Sequence, residues 1–514
     1  MSNCRLLGRL PLGSLMSWQD KPIKNYVLSF KRIHFLLLII LAIGILFRFA
    51  NIDKKVYWYD EVFTSLRISG YTEAEVVQQV SVRRDIGIED LQKYQRSHSQ
   101  RGLVDTIKSL ALEDPQHPPL YYSVAHFWTQ WFGSSVAVIR RLSAFISLLV
   151  FPCIYWLCIE LFESPLVALI AVALVAVSPY HILLAQDARQ YSLWTVTILL
   201  SSASLLRAMR VNTKASWGMY GVSVMLGLYS FLLSGLVVIG HGIYLSILSL
   251  NNERFKKDLS AYLVTVFAAV FTSLPWLSIV FTNLSEINKN LNKEAPIPLW
   301  TLIKMWIRNL TSIFFDAQWT LKYLNPEQVQ FSYDNPLTYA ALPILLLIGY
   351  SIYFTYHKTS KRVSLFILIL IVLTGLSLLL PDLILGGQRS ITTRYLIPSY
   401  LGIQISVASC FAHKISTIVM NMKLQRVWQT IMLVLISGSI LSCIITAQAE
   451  TWWIKGSSYQ NPQIARIINQ ANTPFVISDT KVGRVISLSY LLAPKVRLKL
   501  MPTCHTCRLA PSSV

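Results

Sequence analysis

The chain has 514 residues, of which 54% are hydrophobic and only 14% charged, and its mean hydropathy is +0.49. Soluble domains carry about 25% charged residues, so this composition excludes an ordinary soluble enzyme and points to a multi-span membrane protein. The net charge of +21 would suggest nucleic acid in a soluble chain. Here the lysines and arginines collect in short loops between apolar runs, which is the positive-inside pattern, and anionic membrane lipid is the partner of the remainder.

Lys21, Lys24, Lys31 and Arg32 precede the first apolar run, 33–50. A spanning helix needs roughly 20 apolar residues, and no A-x-A-like cleavage site follows, so the run reads as a retained span and 1–32 as a cytoplasmic segment. Further runs lie at 140–160, 165–185, 190–207, 218–232, 234–250, 259–281, 337–356, 363–385, 395–412 and 427–446. Four basic clusters mark cytoplasmic loops: Arg207, Arg210 and Lys214; Arg254, Lys256 and Lys257; Lys358, Lys361 and Arg362; Lys414, Lys423 and Arg426. They agree only if the shorter, Tyr- and Trp-rich run 119–132 stays on the outer side as an interfacial or re-entrant helix.

The expected fold is therefore an all-α polytopic membrane protein of about eleven transmembrane helices. Residues 33–446 form the membrane domain, with a large first extracytoplasmic loop at 51–139. Residues 447–514 form a small extracytoplasmic α/β segment. In it, an amphipathic helix near 462–470, a strand at Phe475–Ser478, a helix near 482–492 and a strand at Val496–Leu500 alternate in period. The localisation this implies is the plasma (inner) membrane, with the N-terminus cytoplasmic and the C-terminus outside. Of seven cysteines, four lie in apolar runs as packing residues. Cys504 and Cys507 have C-x-x-C spacing without the second ligand pair that a structural zinc needs.

Four polar clusters fall on the outer side. Asp60-Glu61 follows Tyr57-Trp58-Tyr59, three aromatics expected in the headgroup belt. His117-Pro118-Pro119 opens the 119–132 helix, where prolines suit the first turn and an imidazole can move a proton or bind a metal. Ser178-Pro179 leads to Gln186-Asp187-Ala188-Arg189-Gln190-Tyr191. Arg389 and Arg394-Tyr395 sit at the outer end of another span, where a guanidinium fork can grip two phosphate oxygens. Each alone reads as a solvated turn, a helix start or a snorkelling anchor. Four on one side of one membrane are more specific.

These pieces together resemble the GT-C superfamily of membrane glycosyltransferases, in particular the protein O-mannosyltransferase and lipid A aminoarabinose transferase branch, over about 33–410. The resemblance implies a lipid-linked donor, a sugar joined through phosphate to a polyprenyl or dolichyl chain. It implies inverting transfer to an acceptor hydroxyl on the extracytoplasmic face, the acceptor being protein, glycolipid or polysaccharide. Asp60 would then be the general base, with Glu61 beside it in the catalytic pair. Arg394 and Arg389 would stabilise the departing phosphate, and His117, Asp187, Arg189 and Tyr395 would line the donor site. The resemblance also allows a divalent cation, Mg²⁺ or Mn²⁺, held by Glu61 or Asp187. Some relatives carry Glu-Lys-Pro where this chain has His117-Pro118-Pro119, so a lysine able to touch phosphate there is absent. The competing reading is a transporter or lipid-linked sugar flippase without transferase activity, which would place ionisable groups mid-membrane on broken helices. A third is a scaffold acting through the C-terminal tail.

Overall fold

The computed structural model describes residues 21–83, 85–98, 100–250, 252–285, 297–316, 336–416 and 422–501, with side chains from residue 35 onward. Most of the 283–336 loop and the Cys504–Cys507 pair lie outside the described residues.

Each apolar run of the sequence is helical. Helix α1 is Lys21–Phe49. The first loop then folds into α2 (Tyr59–Ile68), α3 (Glu73–Ser81), a two-residue strand β1 (Ile86–Gly87), α4 (Ile88–Gln92), α5 (Leu103–Glu113) and α6 (Leu120–Phe132). Next come α7 (Val136–Leu148) and α8 (Val150–Phe162), nearly continuous, then α9 (Pro165–Ala176) and α10 (Pro179–Ala185). Helices α11 (Tyr191–Val211), α12 (Lys214–Ser230), α13 (Ser234–Ser249) and α14 (Glu253–Thr282) follow. The last helices of the membrane domain are α15 (Leu299–Thr311), α16 (Ala341–Lys358), α17 (Lys361–Leu385), α18 (Ile397–Ser416) and α19 (Met422–Gln448).

Among the described residues, seven helices are long and apolar enough to cross a membrane, and eight if α9 and α10 count as one bent span; Phe35–Phe49 and Ser234–Ser249 are apolar but shorter. Helix α6 has 13 residues, too few for a bilayer crossing of about 20. A helix apolar on every side belongs at the centre of a bundle. Accordingly, 89% of the Thr393–Ser416 window is buried against 22% for Glu253–Thr282. Helices α9, α11 and α18 make the axis, and α14 shows Leu263, Val264, Phe267 and Phe271 to the outside.

Between α9 and α10 the chain bends by 63°. Pro179 opens α10 and cannot continue the α9 ladder, so the carbonyls before it need other donors. Arg48 of α1 supplies them, giving Nη1 to Ala176 (2.7 Å) and Nη2 to Val175 (3.3 Å), while Cys443 Sγ lies 3.2 Å from the Val177 carbonyl. Broken helices at membrane depth persist only where neighbours re-satisfy the freed backbone. The bend delivers the 186–190 turn to the end of the bundle where α2 begins.

After α19 come a 3₁₀ turn at Trp453–Ser458, α20 (Asn461–Gln470), β2 (Phe475–Ser478), α21 (Val482–Ser489) and β3 (Arg497–Leu500). The strands and helices stand where the period read from the sequence puts them. Their partner is unexpected: the sheet order is β1-β3-β2, with β3 parallel to β2 and antiparallel to β1 of the first loop. Val62, Leu66, Val76, Val80, Ile86 and Leu91 of that loop share one apolar core with Val482, Val485, Ile486, Val496 and Leu498. The C-terminal segment and the first loop are thus one packed unit.

Candidate active site

Helix α2 follows the C-terminal end of α1, with Trp58 as its N-cap and with Asp60 and Glu61 in its first turn, where carboxylates suit the positive end of the helix dipole. Adjacent helical residues point about 100° apart, so the two acids face different surroundings. Asp60 looks outward, its side chain 20% exposed, and ion-pairs with Arg394 at 3.3 Å. Glu61 is fully buried. Its Oε1 accepts from Arg140 Nε (2.7 Å) and from the Ala188 amide (3.0 Å); its Oε2 accepts from Arg140 Nη2 (2.7 Å), Lys455 Nζ (3.2 Å) and the Trp58 amide (3.3 Å). Burial pushes the Glu61 carboxyl up, but Arg140 and Lys455 outweigh it and hold the group down at about 2.

Two of the three aromatics before Asp60, expected in a headgroup belt, face the protein interior. Tyr57 and Trp58 are buried because the C-terminal segment covers them: Tyr57 packs on Tyr490 with ring centroids 4.7 Å apart, and Ser458 Oγ accepts from the Tyr59 amide. Trp58 instead forms part of a small cavity with Tyr180, Leu183, Leu184, Asp187, Tyr191, Thr393, Arg394 and Ile454. Arg394 stands 5.6 to 5.8 Å from the ring centroids of Trp58, Tyr191 and Tyr395. Tyr395 stacks on Phe231.

Asp187 and Arg189 point to different partners. Asp187 pairs with Lys455 Nζ; burial raises its carboxyl above the ordinary range, and the ammonium counters that. Arg189 gives Nη1 to Thr64 Oγ1 (3.0 Å), Tyr122 Oη (3.2 Å) and the Asp60 carbonyl (3.3 Å), and gives Nη2 to His117 Nε2 at 3.1 Å. An arginine only donates, so Nε2 accepts and His117 is neutral; its Nδ1 lies 2.9 Å from the Gln190 side-chain amide, which meets the Nδ1 proton with its oxygen when the carboxamide is flipped. Burial and the Arg189 charge lower His117 to about 3. Arg389 is held away from this cluster by Asp382, whose Oδ2 also accepts from the Ser390 amide.

Four supporting cations were not read from the sequence. Arg140 binds Glu61 and also the carbonyls of Ile52, Lys55 and Val56, fixing the turn that leads to Asp60. Its signal was available: an arginine inside an apolar run is expensive and has a partner. Arg67 joins Glu113 and Asp114 at 2.6 Å each and so fixes the His117 turn against α2. Lys55 donates to Gln186 (3.0 Å) and is lowered to about 7 by burial and by the charges of Lys455 and Arg140. Lys455, 394 positions from Glu61, left no sequence signal.

Glu61 and Asp187, the residues weighed as holders of a divalent cation, do not fit one here. The Glu61 oxygens are fully engaged by donors, and an ammonium bridges the two acids. Among the described residues no group of three or more His, Cys, Asp or Glu is placed to hold a metal.

The site thus combines an α-helical bundle with a broken span, a folded first loop and an Asp60–Arg394 pair at one end. Known proteins are similar in sequence over one segment and in fold. Residues 116–278 match the family model described as dolichyl-phosphate-mannose-protein mannosyltransferase, a segment that contains His117, Arg140, Asp187 and Arg189. The structure is similar to the Archaeoglobus fulgidus oligosaccharyltransferase in complex with Zn and sulfate (TM-score 0.51, 13% identity, 91% of this chain and 62% of that one). It is also similar to ArnT from Cupriavidus metallidurans in the apo state (TM-score 0.50, 12% identity, 89% and 85%). ArnT bound to undecaprenyl phosphate matches with a TM-score of 0.46 at 13% identity, over 89% and 85%. The chain thus spans less than two thirds of the oligosaccharyltransferase. A search of curated proteins gives no match by sequence. The chain shares the fold of these solved structures, and its residues 116–278 match the mannosyltransferase family model.

Proposed function

We propose that the protein is an integral membrane glycosyltransferase that moves a monosaccharide from a polyprenyl-phosphate donor to an acceptor hydroxyl on the extracytoplasmic face, with inversion. The observation that carries this reading is the part-exposed Asp60 carboxylate paired with Arg394 beside an aromatic-lined cavity. The matched family's own description, with dolichyl-phosphate mannose as its donor, supports a lipid-linked donor. In the reaction the acceptor oxygen forms a bond to the anomeric carbon and loses its proton to Asp60. The bond from that carbon to the phosphate oxygen breaks on the opposite face, and its electron pair leaves with the lipid phosphate. That leaving group is anionic and needs a cation rather than an acid. Arg394 turns from Asp60 to the phosphate and stabilises its charge, which also frees the carboxylate to act as base. Arg189, His117 and Tyr395 shape the rim, Arg389 fixes the turn before it, and Glu61 and Asp187 hold the floor.

The orientation proposed is eleven spans, N-terminus cytoplasmic and C-terminus outside, in the plasma (inner) membrane. It is supported by the meeting of residues 60, 187, 394 and 455 at one end of the bundle, while Glu160 and Arg210 pair elsewhere. One feature favours the transporter or flippase reading, the 63° break; yet its freed carbonyls are turned to Arg48 and Cys443 rather than to a passing ion.

The deciding experiment uses the protein in nanodiscs with a panel of polyprenyl-phosphate sugars and follows release of free polyprenyl phosphate. Asp60→Asn is expected to lower release by about 10²–10⁴-fold, the ordinary worth of a general base, with the fold intact. Equal release from wild type and Asp60→Asn would remove Asp60 from the chemistry. Translocation of sugar lipid without release of polyprenyl phosphate would establish the flippase instead.

A further inference from the structure

We infer that Lys455 is the resident cation of this site: an ammonium from the C-terminal segment takes the place between Glu61 and Asp187 that a divalent metal ion would otherwise fill. The inference rests on the glycosyltransferase reading for the identity of the site, though not for the binding test below. Lys455 is 1% exposed and touches both acids through one nitrogen, with the Trp58 ring centroid 5.2 Å away. Two buried carboxylates this close repel unless a cation lies between them. A divalent ion is the usual solution and takes six or more oxygens, mostly carboxylate, carbonyl and water. Glu61 has no such capacity left, since Arg140, the Ala188 amide and the Trp58 amide take its other directions.

Charge counting gives the same answer. Glu61 and Asp187 contribute two negative charges, and Arg140 and Lys455 balance them. Lys55, the third basic group of the cluster, is already lowered to about 7 by burial and by its cationic neighbours, and adding a doubly charged ion would leave the cluster positive. Lys455 is a positioning residue: buried behind the cavity, it holds Glu61 at the base of α2 and Asp187 at the cavity wall, and so aims Asp60. It also makes the C-terminal segment a part of the site rather than an appendage.

The test measures metal, not only turnover. Full-length wild type, purified and then incubated with Mg²⁺, Mn²⁺ or Zn²⁺, is expected to retain no stoichiometric ion by elemental analysis, to show no metal-dependent rise in Tm, and to keep any transferase activity in EDTA. Lys455→Ala opens the space between the acids, and is expected to gain a Tm rise of a few degrees with Mn²⁺, because a ligand that binds only the folded state stabilises it. Lys455→Ala with Asp187→Asn should lose that gain, and Lys455→Arg should behave as wild type. One bound ion per wild-type chain, or activity abolished by EDTA, would overturn the inference. So would a folded Lys455→Ala protein indifferent to every ion. If Lys455→Ala does not fold without metal, its recovery when Mn²⁺ is present throughout purification is the same gain read another way, and failure with every ion counts against the inference. Absence of transferase activity on every donor would sink the functional reading and leave the metal-binding results standing.

Discussion

At the scale of single residues, local rules located candidate side chains but not the surroundings each one meets. Asp60 and Glu61 are adjacent in sequence and were legible as a pair after the first span. The helical turn they share sends one to Arg394 and buries the other on Arg140, and sequence alone cannot separate two neighbours whose fates depend on what packs against α2. His117 shows the same limit. A histidine at a helix entrance reads as a proton carrier, yet Arg189 forces it to be a neutral acceptor. Its folded value is about 3 against an ordinary 6.5, so between those values the unfolded chain binds a proton that the folded chain refuses. The contribution is therefore complete above pH 6.5 and is lost as pH falls toward 3. His117→Gln, whose amide oxygen can accept from Arg189, should flatten the dependence of Tm on pH across that window. It should also keep transfer within about tenfold of wild type, the scale of one altered hydrogen bond. An activity that titrates with His117 near neutral pH and vanishes in His117→Gln would instead make the imidazole an acid–base group.

At the scale of elements, the helices were legible because hydropathy sees length and burial directly, and the short α6 was separable because charge sidedness left it no crossing. The break inside 165–185 has a local sign in Ser178-Pro179, since proline interrupts a helix ladder, but the sequence does not show the tertiary partners Arg48 and Cys443 that make a bend there tolerable. That bend depends on a close approach of α1 to α9. A Cβ built on Gly44 would lie 2.4 Å from the Ala176 carbonyl oxygen and 2.6 Å from its carbon, and backbone cannot step aside as a side chain can. Gly44→Ala should therefore push α1 from α9, stretch the Arg48 bonds and cost about 1–3 kcal/mol, the range for overpacking. Gly349→Ala is the control, because nothing lies within 4 Å of a Cβ there and alanine is the better helix former. Thermal unfolding in detergent compares them. Equal Tm values for the two variants would mean that the α1–α9 contact is not a tight one in the membrane.

At the scale of the whole molecule, the site is a meeting of segments that are remote in sequence: the start of α2, the 186–190 turn, the 389–396 turn and the tail at 452–458. The first three announce themselves by polar residues at span ends. The tail does not, because Trp452-Trp453-Ile454-Lys455 reads as an ordinary interfacial anchor until Lys455 is found against Glu61. The sheet is equally hidden, since β1 has only two residues and is defined by the β3 strand it pairs with. Removing everything from residue 450 tests this unity. Among the described residues the main membrane core draws no buried member from beyond Ile436, so the truncated chain should still insert and remain monodisperse. The first loop should not survive it, because Val62, Leu66, Val76, Val80 and Leu91 lose the apolar face they share with α21 and β3. Trypsin should then cut at Arg83, Lys93 or Arg96 at least about tenfold faster than in the full chain, as local opening becomes cheap, and Asp60 should lose its aim, with transfer falling to background. Unchanged protease resistance of the loop after truncation would mean that α2 to α5 hold their fold unaided, and that the tail packs against a surface already formed.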